Sequence, residues 1–228
     1  NDNATSSGGS SPASPGKATG PNWISFSPSA SGTRYFPKMS TVLAGLLVSP
    51  TLPGGDAVAN TEALSSVSRT LNFRLTVRDN KPYVPGVTIG QTQYTDSVIT
   101  VTNSSGPFKV TSPNTSIQVA GGSVQTVTWN GANTTAAPVS AANVKISLST
   151  DGGQTFPAVL LASTPNDGSA DVTIPMGVTS QARIKIEAVG NIFFDVSDAN
   201  FSVTAPVRAK YDFDGDGKTD LAVWREAP

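Results

Sequence analysis

From Leu71 to Arg78 the chain alternates. Leu71, Phe73, Leu75 and Val77 are apolar, and Asn72, Arg74, Thr76 and Arg78 between them are polar. A period of two places the first set on one face of an extended strand and the second on the other. Asp79-Asn80 ends the strand with turn chemistry. Ser97, Ile99 and Val101 alternate with Val98, Thr100 and Thr102, which predicts a second strand; Lys81–Gly90 between the two carries Pro and Gly and reads as a loop. Pro50–Asn60 reads as another long loop, and Thr61–Ser68 is the best helical candidate, though short and rich in Ser.

The same grammar recurs further along. Val127 and Trp129 share one strand face and Thr126 and Thr128 the other; Val144, Ile146 and Leu148 alternate with Lys145, Ser147 and Ser149. Asp151-Gly152-Gly153 follows, a hairpin signal because Gly takes positive φ without steric cost. Phe156–Leu161 starts the return strand, and Asn166-Asp167-Gly168-Ser169 makes the next turn. Ile184, Ile186 and Ala188 then alternate with Arg183, Lys185 and Glu187. Ile192, Phe194 and Val196 make a further strand, and Phe201 and Val203 the last. Strands at spacings of about 8–12 residues with turns between them predict β-sandwiches. The expected fold class is all-β: two tandem immunoglobulin-like or fibronectin-III-like sandwiches over 21–105 and 106–205. A Ser/Gly-rich linker over 1–20 precedes them and a short calcium-loop segment over 206–228 follows. Trp129 stands where such a fold buries a Trp between its sheets, although ordinary core filling explains it equally well.

Composition narrows the chemistry. Of 228 residues, 37% are hydrophobic and 14% charged, both low against about 45–50% apolar (Gly counted) and about 25% charged in typical globular chains. Residues 1–20 contain no aromatic and no branched aliphatic side chain, so they have little apolar surface to offset their ordering entropy. The chain has no Cys and no His. That excludes a disulfide framework, a Cys or His zinc site, a Cys nucleophile and a Ser-His-Asp triad. A net charge of −1 offers no basic field to gather nucleic acid or anionic lipid. The longest apolar stretch, Thr41–Val48, is far short of the roughly 20 residues of a membrane span, and the polar opening Asn1-Asp2-Asn3 shows no signal peptide. The sequence reads as a mature segment or a fragment.

Several stretches together carry a resemblance: Leu71–Asn80, Gly106–Asn114, Gln125–Asn130, Leu148–Pro157, Thr164–Ser169, Ala182–Ile186 and Asn191–Asp198. Over about residues 21–204 the chain resembles the non-catalytic β-sandwich region that follows the catalytic domain in bacterial secreted reprolysin-like metalloproteases. Proteolysis in that family rests on a His-Glu-x-x-His helix, and a chain without His cannot supply it. The resemblance therefore implies an accessory role, export, and an extracellular or bacterial cell-surface setting.

The sharpest chemical motif lies at the end. Asp212-Phe213-Asp214-Gly215-Asp216-Gly217-Lys218-Thr219-Asp220 places four of the chain's 16 acidic residues in one short loop. Carboxylates of Asp212, Asp214 and Asp216 occupy loop positions one, three and five, Gly217 permits the turn at six, Lys218 offers its carbonyl at seven, and Asp220 closes at nine. Oxygen-only ligands select Ca²⁺ over softer metals. With Leu221–Trp224 reading as a strand, this segment resembles the opening of an FG-GAP or VCBS-type calcium-binding repeat. The alternative is a solvated acidic turn, because no carboxylate stands at the twelfth position. A lone strand there seeks a partner edge, on its own sandwich or on a neighbouring molecule.

Weaker signals each have a plainer explanation. Asn-x-Ser/Thr sequons at Asn3, Asn103, Asn114, Asn133 and Asn200 arise by chance in a Ser/Thr-rich chain. Asp79, Asn80 and Asp96 form either an inter-domain calcium site or a turn. Trp23, Tyr35, Phe36 and Tyr83 form either an aromatic platform for sugar or core. The expected function is a non-enzymatic accessory, adhesion or spacer region with a structural calcium loop. A filament or surface-layer subunit that bridges copies of itself through its tails is the first alternative, and a carbohydrate-binding module for surface polysaccharide the second. Partners are then proteins, including other copies of the chain, with no nucleic acid and no membrane span.

Overall fold

The computed structural model describes residues 12–25, 28–51 and 61–206. The described structure is nearly all β. It divides into two compact units, Asn1–Gly106 and Pro107–Pro228.

In the first unit, β1 (Arg69–Arg78) and β2 (Thr92–Val101) form an antiparallel ribbon. Their register is unbroken from Arg69↔Val101 to Arg78↔Thr92. Asp79 Oδ1 accepts the N–H of Lys81, and Asn80 takes a positive φ of 53°, as the predicted turn requires. A small core gathers at the ribbon's base. Trp23, Ala63 and Leu71 are buried there. Trp23 meets Phe36 edge-on at 5.2 Å, and Phe36 meets Phe73 at 4.9 Å. The buried Glu62 carboxylate accepts from Arg34 at 2.8 Å and from the Lys38 N–H at 2.9 Å.

The helix expectation changes in this unit. Thr61–Ser68 is not helical: Glu62 and Ala63 make single bridges to Trp23 and Val48, and the Ala63 and Leu64 N–H groups donate to the carbonyls of Asn22 and Leu47. Long-range partners thus take the donors that a helix would have used. The short helix is instead α1, Met39–Leu43, inside the apolar stretch. Of the presumed linker, residues 12–20 are held by polar contacts. Asn22 exchanges two hydrogen bonds with the Ser14 backbone, and the buried Arg69 guanidinium donates to the carbonyls of Lys17 (2.8 Å) and Gly20 (2.6 Å). Among the described residues the one sheet of this unit is the β1–β2 ribbon, so its β character is shown and a sandwich over 21–105 is not. The Gly-, Ser- and Pro-rich flanking segments make isolated bridges rather than strands.

The second unit has two sheets. β3 (Lys109–Ser112), β5 (Val124–Asn130) and β8 (Ser169–Thr173) form one, in the order β3-β5-β8. The other runs β4 (Gln118–Ala120), β11 (Phe201–Thr204), β9 (Thr179–Ala188), β6 (Asn143–Ser149), β7 (Ala158–Pro165), and β10 (Phe194–Val196) joins the edge of β9. All the pairings are antiparallel except β4 with β11. Val110, Val127, Trp129 and Val172 from the smaller sheet share one core with Val144, Ile146, Ile184, Ile186 and Phe201 from the larger. This is a sandwich-like two-layer packing. The predicted hairpin at Asp151-Gly152-Gly153 joins β6 to β7, with Gly152 and Gly153 at positive φ. Trp129 lies in the core, where its indole N–H donates to Asn166 Oδ1 at 2.8 Å. Asn166 in turn donates to Thr134 Oγ1 and to the Ala141 carbonyl, both at 3.0 Å. The Trp129 indole N–H and the Asn166 amide are thus both partnered where they are buried, as burial demands.

Among the described residues, no helix is long and apolar enough to cross a membrane.

Candidate functional site

The ribbon of the first unit carries exposed apolar surface that has a clear structural cause. In an antiparallel pair, directly opposed residues share a face. Leu71, Phe73, Leu75 and Val77 therefore lie on one face with Ile99, Ser97, Thr95 and Gln93. This face carries no charge beyond Arg69 at its base. Its apolar row starts in the core, with Leu71 at 4% exposure, and ends in the open, with Leu75 at 59% and Val77 at 61%. Leu75, Val77, Gln93, Tyr94 and Thr95 line a shallow groove of about 210 Å³. The connecting loop extends the apolar character through Tyr83, Val87 and Ile89, all largely exposed.

The opposite face is mostly polar and carries an ion pair, with Val98 as its exposed apolar residue. Arg74 grips Asp96 with a two-pronged contact at 2.7 and 2.9 Å, and its guanidinium lies 3.9 Å from the centre of the Tyr94 ring. The shared hydrogen bonds lower the Asp96 pKa and raise that of Arg74. Among the described residues β1 and β2 pair only with each other, which leaves both outer edges of the ribbon open there. Open edges and an uncovered apolar face are the two standard invitations to another chain.

The second unit holds tightly built polar features. In the β6–β7 hairpin, Ser149 donates to Asp151 Oδ1 at 2.6 Å, and the Thr155 hydroxyl donates to Oδ2 at 2.6 Å. The Thr155 N–H adds a third bond. These donors, Ser149 first, hold the Asp151 pKa down at about 2. Asp195 has the opposite environment. Its burial raises the pKa even though it accepts the Val110 N–H at 2.7 Å. That bond ties β10 to β3 across the two sheets. On the larger sheet, Glu187 binds Lys145 at 2.6 Å and Lys185 at 2.7 Å, and the buried Lys185 ammonium stands 5.0 Å from the Phe156 ring centre. Burial works against ionisation of Glu187, but the two ammonium groups outweigh it and its pKa is lowered. Each of these groups has its partners within the fold.

The sequence-predicted sites are distributed as follows. Asp212, Asp214, Asp216, Lys218 and Asp220 lie outside the described residues. Asp79 and Asp96 are not brought together as ligands: Asp79 serves the turn, and both oxygens of Asp96 are taken by Arg74. Among the described residues no cluster of three or more acidic side chains could hold a metal ion. Of the aromatics Trp23, Tyr35, Phe36 and Tyr83, Trp23 and Phe36 meet edge-on in the base of the first unit, and Tyr83 is exposed on the loop between β1 and β2. Of the sequons, Asn114 and Asn200 use their side chains internally, on Asp198 and Arg183. The exposed ribbon face was not singled out by sequence reasoning. Its signal was available, since four alternating apolar positions in β1 face a region poor in further strands to cover them.

No family model matches the chain, and neither a curated protein nor a solved structure matches it.

Proposed function

We propose that the chain is a non-catalytic, protein-binding accessory region of a secreted or cell-surface bacterial protein, with the ribbon of the first unit as its contact element. The observation that carries this reading is the face of β1 and β2 that bears no charge beyond Arg69 at its base and whose apolar row continues from the core into solvent. The second unit serves as a folded support. Its strand order supports an immunoglobulin-type reading: β3, β5 and β8 correspond to strands A, B and E, and β6, β7, β9 and β10–β11 to C, C′, F and G. The resemblance to the non-catalytic region of reprolysin-like metalloproteases supports the accessory role and the extracellular setting. The absence of His and Cys removes the commonest nucleophile–base pairs and speaks against an enzyme. Ca²⁺ held by Asp212, Asp214, Asp216, the Lys218 carbonyl and Asp220 is the cofactor this reading expects, in a structural role.

The two open ribbon edges favour a second reading, a subunit that adds strands to copies of itself and so builds a filament. One experiment separates the two. The intact chain and its L75D/V77D variant are compared by sedimentation and negative-stain imaging, with calcium and with chelator, together with binding of an apolar fluorescent dye. A monomer whose dye binding drops in the variant supports the accessory reading. Fibres that the variant abolishes establish the filament. Dye binding that is absent, or unchanged in a folded variant, removes the ribbon as the contact element and the reading with it.

A further inference from the structure

The chain leaves β5 through Asn130-Gly131, the one Asn-Gly pair in the sequence. Asn130 is exposed and Gly131 half-buried. The Ala132 N–H donates to Asn130 Oδ1 at 2.9 Å. That bond closes a ring which contains both Cγ of Asn130 and the Gly131 nitrogen, so the side chain lies folded back over the peptide that follows it. The next turn holds the far side. The Gly131 carbonyl accepts the Thr134 N–H at 2.9 Å and the Thr134 hydroxyl at 2.6 Å, with Ala132 and Asn133 at positive φ of 44° and 65°. Among the described residues, no backbone carbonyl accepts the Gly131 N–H.

Packing favours glycine at 131. A Cβ there would stand 3.4 Å from Asn166 Oδ1, the acceptor of the buried Trp129 indole. The same missing side chain leaves the Gly131 nitrogen unshielded. Three nearby asparagines make the contrast. Asn114, Asn133 and Asn143 are followed by Thr115, Thr134 and Val144, β-branched residues whose two substituents on Cβ crowd their own backbone nitrogen. Asn130 alone among the four combines an exposed amide, a held side-chain oxygen and an open neighbouring nitrogen.

We infer that Asn130 is a site of spontaneous covalent modification in the folded protein, its side-chain amide becoming a carboxylate by way of a cyclic imide with Gly131. The Gly131 nitrogen gives its proton to hydroxide and bonds to Cγ. Negative charge develops on Oδ1, where the Ala132 N–H already stands as a donor. The bond from Cγ to the side-chain nitrogen breaks, that nitrogen takes a proton from water, and ammonia leaves. Water then opens the ring. Cleavage at Cγ yields an ordinary aspartate, and cleavage at the backbone carbonyl yields a β-linked isoaspartate. One water enters and one ammonia leaves, with no oxidant or reductant. The net charge goes from −1 to −2. In the aspartate form the new carboxylate sits on the cross-strand partner of Lys109, an opposite-charge pair. The β-linked form lengthens the backbone by one carbon beside the Gly131–Asn166 contact, and so loosens the support of Trp129. This site is independent of the ribbon and of calcium, and it holds or fails whatever the first unit binds.

The sequence makes the test direct. Residues 110–144 contain no Lys or Arg, so one tryptic peptide carries Asn114, Asn130, Asn133 and Asn143. The intact chain is aged in mildly alkaline buffer, folded and in urea, and digested beside an unaged sample. Tandem mass spectrometry then assigns any change from amide to acid to its residue, and ion-exchange chromatography follows the more acidic species. In the folded chain, Asn130 is expected to convert while the other three stay intact, with a rate that rises with pH. Gly131→Ala is expected to slow the conversion several-fold. Asn130→Gln, which keeps an amide but would have to close a larger ring, is expected to remove the acidic species, and circular dichroism checks that both variants are folded. Conversion in urea but not in the folded chain would show that the turn blocks the reaction, and it overturns the inference. Equal conversion at all four asparagines, or an acidic species that persists in Asn130→Gln, overturns it as well.

Discussion

β1 and β6 are written in the same pattern and meet different fates. In β6, Val144, Ile146 and Leu148 alternate with polar residues and are 0%, 0% and 2% exposed. In β1, Leu71, Phe73, Leu75 and Val77 alternate just as cleanly, yet exposure rises from 4% at Leu71 to 61% at Val77. The difference lies in what faces each strand. β6 sits within a sheet, opposite a second sheet that contributes Val110, Val127, Trp129 and Val172 to the shared core. Among the described residues β1 has one neighbouring strand, and its face is covered as far as Phe36 and Phe73 reach. Alternation defines a strand and its two faces. Whether a face is buried depends on a second layer, which the strand's own sequence does not encode.

Truncation tests this most sharply. Ile146→Ala leaves a cavity in a two-sheet core and is expected to cost about 2–5 kcal/mol, read from urea unfolding followed by circular dichroism. Leu75→Ala removes the same kind of side chain from an open face and is expected to change stability by no more than about 0.5 kcal/mol. Comparable losses at both positions would mean that the ribbon face is covered in solution, by another copy or by another part of the chain. Repeating the Leu75→Ala measurement at several protein concentrations separates those two covers.

The polar interiors differ as well. The second unit buries a closed network, Trp129 to Asn166 to Thr134 and Ala141. Asn166→Ala leaves the indole N–H and the Ala141 carbonyl without this partner. Its expected cost is about 1–3 kcal/mol for each group left unsatisfied, read by the same unfolding measurement. In the first unit, polar bonds do the work that apolar packing does in the second, because Arg69 fastens residues 12–20 through two carbonyls. Arg69→Met keeps the apolar stem and removes both bonds. Tryptic cleavage after Lys17 is expected to quicken several-fold, while the far-ultraviolet signal of the second unit's strands stays unchanged. Cleavage at the original rate would show that Asn22 and its bonds to Ser14 hold the segment unaided.

Much of this was legible in the residues, and unevenly so. The β5, β6, β9 and β11 faces followed from period-two patterns at Val127/Trp129, Val144/Ile146/Leu148, Ile184/Ile186 and Phe201/Val203. The β6–β7 hairpin followed from Asp151-Gly152-Gly153. β3 and β4 were harder to read because they are short, and β4 depends on a parallel pairing with β11, some 80 residues away. Residues 12–20 read as linker because apolar content was the measure, and their anchors are backbone carbonyls that composition does not reveal. Thr61–Ser68 suggested a helix because its few apolar positions fit one. Its N–H groups instead found carbonyls at Asn22 and Leu47, partners too distant in sequence to read from the segment itself. The acidic loop Asp212–Asp220 is the clearest motif in the sequence, and it lies outside the described residues.

The smallest expected effect concerns acid, where two carboxylates of the second unit pull in opposite directions. Asp151 is held at about 2 by Ser149 and Thr155. Its folded-state pKa is below the ordinary value of 3.8, so the unfolded chain binds the proton more readily. The stability it contributes is complete above that ordinary value and is lost as the pH falls toward about 2. Asp195 is shifted upward by burial. The folded chain binds its proton more readily, so a penalty grows as the pH rises from the ordinary carboxylate value through the raised one, and acidification relieves it. In Asp195→Asn the amide oxygen still accepts the Val110 N–H, and the buried charge is gone. That variant is expected to be at least as stable as the parent at pH 7 and to lose stability more steeply between pH 5 and pH 3, because the compensating gain has been removed. A parallel pH profile for parent and variant would mean that the Val110 and Val196 N–H groups solvate the carboxylate fully. The bond between β10 and β3 would then cost nothing for the charge it buries, and the second unit would owe its tolerance of buried polar groups to hydrogen bonding alone.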